Sequence, residues 1–101
     1  MEHRYKVWSS FFDALGPEDK NFEIRRIRED QPSVVVGDVL ILDETKDGTK
    51  EFTGRVKTAH VGFVMNLSKM PGLMQAQGAE NRVNISEFEV YGLYGIEAVK
   101  L

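Results

Sequence analysis

The sequence predicts an α+β, strand-dominated fold: a small, mainly antiparallel β-barrel with one or two short helices. Three features carry this expectation. Apolar runs of strand length recur along the chain, turn residues separate them, and no alternation of strands with long helical patterns marks a βαβ series. With 101 residues and 42% hydrophobic side chains, the chain has material for one core, so residues 1–101 are expected to form a single domain.

The elements follow in order. Tyr5, Val7 and Trp8 give a short extended signal, after which Ser9 or Ser10 offers an N-cap to a short helix carrying Phe11, Phe12, Ala14 and Leu15. Gly16-Pro17 stops that helix, because Pro cannot continue the hydrogen-bond ladder. Phe22 and Ile24 then alternate with Glu23 and Arg25, which predicts a strand with the apolar pair facing the core and the charged pair on the opposite face. Val39 to Leu42 is a β-branched and apolar run introduced by Gly37-Asp38, and it predicts a core strand. Asp47-Gly48 marks the turn of a hairpin into a strand that starts at Phe52 and runs through Val61 to Val64. Residues 66–84 hold Pro71 and several side-chain amides and predict an irregular excursion. Ile85 to Tyr91 fits a helical turn or a strand equally, and Gly95 to Leu101 alternates as a closing strand.

Composition removes several function classes. No Cys is present, so disulfides, thiolate zinc sites and cysteine nucleophiles are excluded. His3 and His60 lack companions at ligand spacing, so no metal site and no cofactor is expected. No apolar run approaches the ~18 residues of a membrane span, and no apolar segment follows the charged start as in a signal peptide, so a cytoplasmic protein without membrane contact is expected. A net charge of −3 argues against non-specific coating of nucleic acid, which relies on many Lys and Arg neutralising phosphates. The basic residues are nevertheless clustered, with Lys20, Arg25, Arg26 and Arg28 close together while acids gather between 43 and 51. A local basic pocket is compatible with that distribution.

The run Lys20-Asn21-Phe22-Glu23-Ile24-Arg25, then Val36-Gly37-Asp38-Val39-Leu40-Ile41-Leu42 and Phe52-Thr53-Gly54-Arg55, resembles the ASCH domain of the PUA-like superfamily, in particular a small phage and bacterial branch without assigned function. His3 and Lys6 ahead of the Phe12 helix, and Gly92-Leu93 before the last strand, resemble that branch too. The resemblance implies a PUA-like barrel whose Lys20 to Arg25 segment faces a cleft for RNA or a nucleotide-like ligand. Relatives that hydrolyse acetylated cytidine carry Gly-x-Lys-x-x-Thr-x-Arg, with the Thr as nucleophile. Here Lys20 and Arg25 match, but Glu23 stands at the Thr position and Glu18 at the Gly position, so threonine-based acyl transfer cannot operate.

Lys20, Glu23 and Arg25 are therefore the leading ligand residues. Lys20 reads equally as a solvated lysine and as a cation at the cleft mouth. Glu23 and Arg25, two apart on one strand, can form an ordinary ion pair; exposed, such a pair contributes only about 0 to 1 kcal/mol, so a cleft floor explains them better. There Arg25 would bind phosphate or carboxylate and Glu23 would accept from a base amino group. Arg28 and Arg55 are further candidate phosphate contacts, and Trp8 a candidate stacking platform, although solvated arginines and a core tryptophan are the plainer readings. Three functions follow: an RNA- or nucleotide-binding module, a small amidohydrolase in which Lys20 and Glu23 activate water on an acylated nucleoside such as N4-acetylcytidine, or a phage-type domain that binds a protein partner. The carboxylate at position 23 favours binding over catalysis.

Overall fold

The structure, a computed structural model, describes residues 1–16, 21–69 and 85–100. Five strands and one helix follow in the order β1 (Glu2–Trp8), α1 (Ser9–Ala14), β2 (Phe22–Arg26), β3 (Val39–Thr45), β4 (Phe52–Asn66) and β5 (Phe88–Ala98), with single 3₁₀ turns at Leu67–Lys69 and Ile85–Glu87. The segment that was ambiguous from its periodicity divides at Glu87: the turn comes first, and the strand that starts at Phe88 absorbs the expected closing strand. The expected excursion at 66–84 lies outside the described residues from 70 onward.

The strands form one sheet in the order β1-β3-β4-β5-β2. Only β1 and β3 are parallel; the other pairs are antiparallel, as hairpin connections favour. Register shifts interrupt the β3–β4 pairing between Asp43 and Thr45, and the β4–β5 pairing between Thr58 and His60 and between Val61 and Phe63. Bulges of this kind bend strands and increase twist. The sheet is accordingly curled into a half-barrel, strand-dominated as expected. No described helix is long and apolar enough to cross a membrane.

The concave face holds the core. Tyr5 and Val7 from β1, Leu40 and Leu42 from β3, Ala59 and Val61 from β4, and Tyr91 and Leu93 from β5 pack together, with Phe12 and Leu15 of the helix segment set against them. Helix α1 is too short to be stable by itself and is held by side chains from the sheet. Neither serine caps it. Trp8 occupies the N-cap position without a side-chain bond, the Asp47 carboxylate accepts from the Ser10 N–H at 3.0 Å, and Ser9 Oγ donates to the Thr45 carbonyl. At the other end the Lys57 ammonium donates to the carbonyls of Phe12 and Leu15 at 2.6 and 3.1 Å, adding a charged donor where a helix terminus is short of them.

Candidate functional site

Strand period decides which residues share a face, and pairing decides which face that is. Glu23 pairs with Tyr91, and Tyr91 belongs to the core, so Glu23 and Arg25 sit on the concave side of β2. This reverses the orientation expected from the sequence. Glu23 is 7% exposed, whereas Phe22 and Ile24 are only half-buried. Phe22 lies on the convex side, opposite Gly92, in a shallow apolar groove that it shares with Phe63 and Tyr94.

β1 and β2 are the two edges of the sheet, and its curl brings them toward each other. Arg25 bridges the gap: its guanidinium donates to the Lys6 carbonyl on β1 at 2.7 Å and lies 4.7 Å from the Tyr5 ring centroid. Cavities of about 350 and 500 Å³ adjoin this bridge, and both are lined in part by Lys6 and Arg25.

The smaller cavity is basic. Arg4, Lys6, Arg25, Arg26 and Arg28 line it, against a single carboxylate, Glu89. Arg4 is engaged by Asp43 through two hydrogen bonds of 2.6 and 3.0 Å. Arg26 and Arg28 are both exposed, and their ion pairs are long, 3.7 Å to Glu87 and 3.6 Å to Asp30; Arg26 also lies over the Phe88 ring, 5.4 Å from its centroid. Tyr5 and Tyr91 form part of the wall, and burial pushes both hydroxyls above the ordinary tyrosine range, so each remains a neutral donor.

The larger cavity is aromatic and apolar, lined by Val7, Trp8, Phe11, Phe22 and Ile24 together with Lys6, Glu23 and Arg25. Trp8 is 47% exposed and stacks on Phe11 with centroids 6.4 Å apart and planes 27° from parallel. At this cavity two enclosed polar atoms lack hydrogen-bond partners: Glu23 Oε2 and Arg25 Nε. Arg25 Nε stands 3.5 Å from Glu23 Oε1, too long for a well-formed hydrogen bond.

The remaining sequence candidates separate. Trp8 and Arg28 line the cavities with Glu23 and Arg25. Lys20 lies outside the described residues. Arg55 lines neither cavity: it binds the buried Glu44 carboxylate at 2.7 Å and Asp13 at 2.7 Å, and its guanidinium lies over the Phe12 ring. The Arg55 hydrogen bonds hold the Glu44 carboxyl down at about 2, assisted by Thr53 and Ser9 against the cost of burial. His3 is likewise structural. Its Nε2 lies 2.8 Å from Asp38, which also accepts from the Val35 N–H and the Met1 amine; the Val35 bond is the largest cause holding the Asp38 carboxyl well below the usual carboxylate range. Among the described residues no group of three His, Asp or Glu side chains is placed to hold a metal ion.

Sequence reasoning singled out Trp8 at the end of β1 but missed what the rest of that strand contributes. The Lys6 carbonyl, Tyr5 and Arg4 reach the site only because the sheet curls, and no local pattern encodes that approach. Phe11 had a local signal, since three positions after Trp8 a residue at the start of a helix can meet it.

Residues 2–76 match the family model described as a domain of unknown function (DUF3850). The chain belongs to this family. The match takes in all of β1 to β4 and therefore every described residue of the aromatic cavity, while the strand that supplies Glu89 and Tyr91 lies beyond it. The cleft is thus mainly a feature of the DUF3850 segment. No curated protein matches the chain.

Proposed function

We propose that this DUF3850 domain is a PUA-like module that binds RNA or a nucleotide in the cleft between β1 and β2. The observation that carries the reading is the adjoining pair of cavities around Arg25, one basic and one aromatic. A nucleotide has the same two-part chemistry. Its phosphate suits the guanidinium groups of Arg26 and Arg28, which are geometrically matched to phosphate oxygens. Its base suits Trp8, because stacking on an aromatic face is worth about 1 to 3 kcal/mol and tolerates any base. Lys20 joins the site on the strength of the ASCH resemblance alone. The reading is consistent with the net negative charge, since five of the thirteen basic side chains line one cavity.

A hydrolytic role has one observation in its favour: Glu23 is a buried carboxylate with a partnerless oxygen beside a cavity, as a general base requires. Weighing against that role, the other carboxylate oxygen is already engaged in an ion pair with Arg25 Nε at 3.5 Å. Binding is therefore the preferred reading.

The test is direct titration of the protein with short single-stranded RNA and with mononucleotides at several salt concentrations. Affinity should fall as salt rises, because phosphate contacts release counterions. Failure of RNA, DNA and nucleotides to bind at low salt would remove this reading and favour a protein partner.

A further inference from the structure

The two partnerless atoms of the aromatic cavity are a donor and an acceptor set side by side. Arg25 Nε carries an N–H, and the Glu23 carboxylate presents two oxygens, one of them 3.5 Å from that nitrogen. Leaving such groups enclosed without partners is costly, so a ligand that satisfies both removes that cost. Glu23 is not placed at random among solvated charges, since its side chain is 9% exposed and forms part of the cavity wall beside Trp8.

We infer that this pair reads the Watson–Crick edge of a guanine base, with the inference resting on the nucleotide-binding role proposed above. One donor followed by two acceptors is complemented by one acceptor followed by two donors. Guanine has that order: O6 accepts from Arg25 Nε–H, while N1–H and the 2-amino group donate to the two Glu23 oxygens. Adenine and cytosine each offer one amino donor beside a ring-nitrogen acceptor, so one carboxylate oxygen stays unmet. Uracil offers a single N–H between two carbonyls, and its second carbonyl would face the carboxylate. A site built from polar groups rejects the analogue that leaves one of them without a partner.

Both atoms are enclosed, so the base reaches them only when the Glu23 carboxyl turns and the Arg25 guanidinium shifts to open its Nε–H. The terminal torsion of a glutamate is broad and close to two-fold, and that rotation is inexpensive. Trp8 supplies the stacking face. Free guanine nucleotides and guanine within single-stranded RNA share this edge, and the experiment separates them.

Trp8 is the sole tryptophan of the chain, so its fluorescence reports on the cavity directly. The probes are GMP, IMP, AMP, CMP and UMP, together with the RNA pentamers UUGUU and UUUUU. GMP or UUGUU is expected to quench Trp8 with the highest affinity, at least about 5-fold above the other nucleotides or above UUUUU, the lower end of what one bidentate base contact discriminates. IMP, which lacks only the 2-amino group, is expected to bind less tightly than GMP. Preference for GMP alone assigns the site to free nucleotides, and preference for UUGUU alone assigns it to RNA. Glu23→Gln, nearly isosteric and checked for folding by circular dichroism, should abolish the preference while retaining residual binding through the basic cavity. Equal affinity for all bases overturns the guanine assignment and leaves the nucleotide cleft standing; no binding by any probe overturns both.

Discussion

The Arg25 guanidinium donates to the carbonyl of Lys6 at 2.7 Å, joining two strands that lie at opposite edges of the same sheet. The partner is a main-chain atom of an edge strand, so one side chain both braces the half-barrel and stands between the two cavities. Stability and the proposed binding therefore depend on the same residue.

Arg25→Ala should cost about 1.5 to 3 kcal/mol of stability, the range for a hydrogen bond involving a charged group, and should weaken nucleotide binding. Urea unfolding measures the first quantity and Trp8 fluorescence the second. Arg25→Lys should recover part of the stability and little of the binding, because an ammonium lacks the planar fork. Undiminished binding by a folded Arg25→Ala protein would remove Arg25 from the ligand site.

The Glu44–Arg55 pair predicts acid sensitivity. The Glu44 carboxyl is held at about 2, below the 4.5 of an unperturbed glutamate, by the Arg55 hydrogen bonds. A depressed carboxyl contributes stability that is present above pH 4.5 and is lost as pH falls toward 2. Thermal melts between those limits should show the protein weakening, and Glu44→Gln should flatten that part of the profile while lowering stability at neutral pH. Arg55→Ala takes the counter-charge from the Glu44 carboxylate and should lower stability, yet nucleotide affinity measured on the folded fraction should be unchanged, since Arg55 lines neither cavity.

Gly92 is fixed by a neighbour rather than by its own backbone. A Cβ there would stand 2.0 Å from the Phe63 ring, which lies across the glycine on the adjacent strand. Gly92→Ala should therefore destabilise by about 1 to 3 kcal/mol, the usual cost of overpacking. The double variant Gly92→Ala, Phe63→Ala should lose less than the sum of the single changes, and a strictly additive result in a double-mutant cycle would show that the ring is not the obstacle.

The protein should leave N4-acetylcytidine intact. Glu23 stands where the hydrolytic relatives implied by the ASCH resemblance have threonine, and Arg25 lies 3.5 Å from its carboxylate. Chromatography that follows conversion to cytidine checks this. Turnover that Glu23→Gln abolishes would promote the hydrolase reading over the binding module.

The sequence by itself determined the succession of β1, α1, β2, β3 and β4, though not the division between Ile85 and Tyr91, and it determined that Glu23 and Arg25 share one face of β2, because side-chain alternation is a local property of an extended chain. Alternation is silent on which face is the inner one. With Phe22 and Ile24 on one side and two charges on the other, local hydrophobicity points the charges outward, and only the pairing of Glu23 with Tyr91 turned them toward the concave side. The same division holds for the arginines. Arg28 and Arg55 look alike as isolated basic residues, but β2 leads Arg28 to the basic cavity, while β4 sets Arg55 near Glu44 and Asp13. Those outcomes depend on contacts between residues distant in sequence, brought together by the bulged, curling sheet, and such contacts exist only once every strand has found its partner.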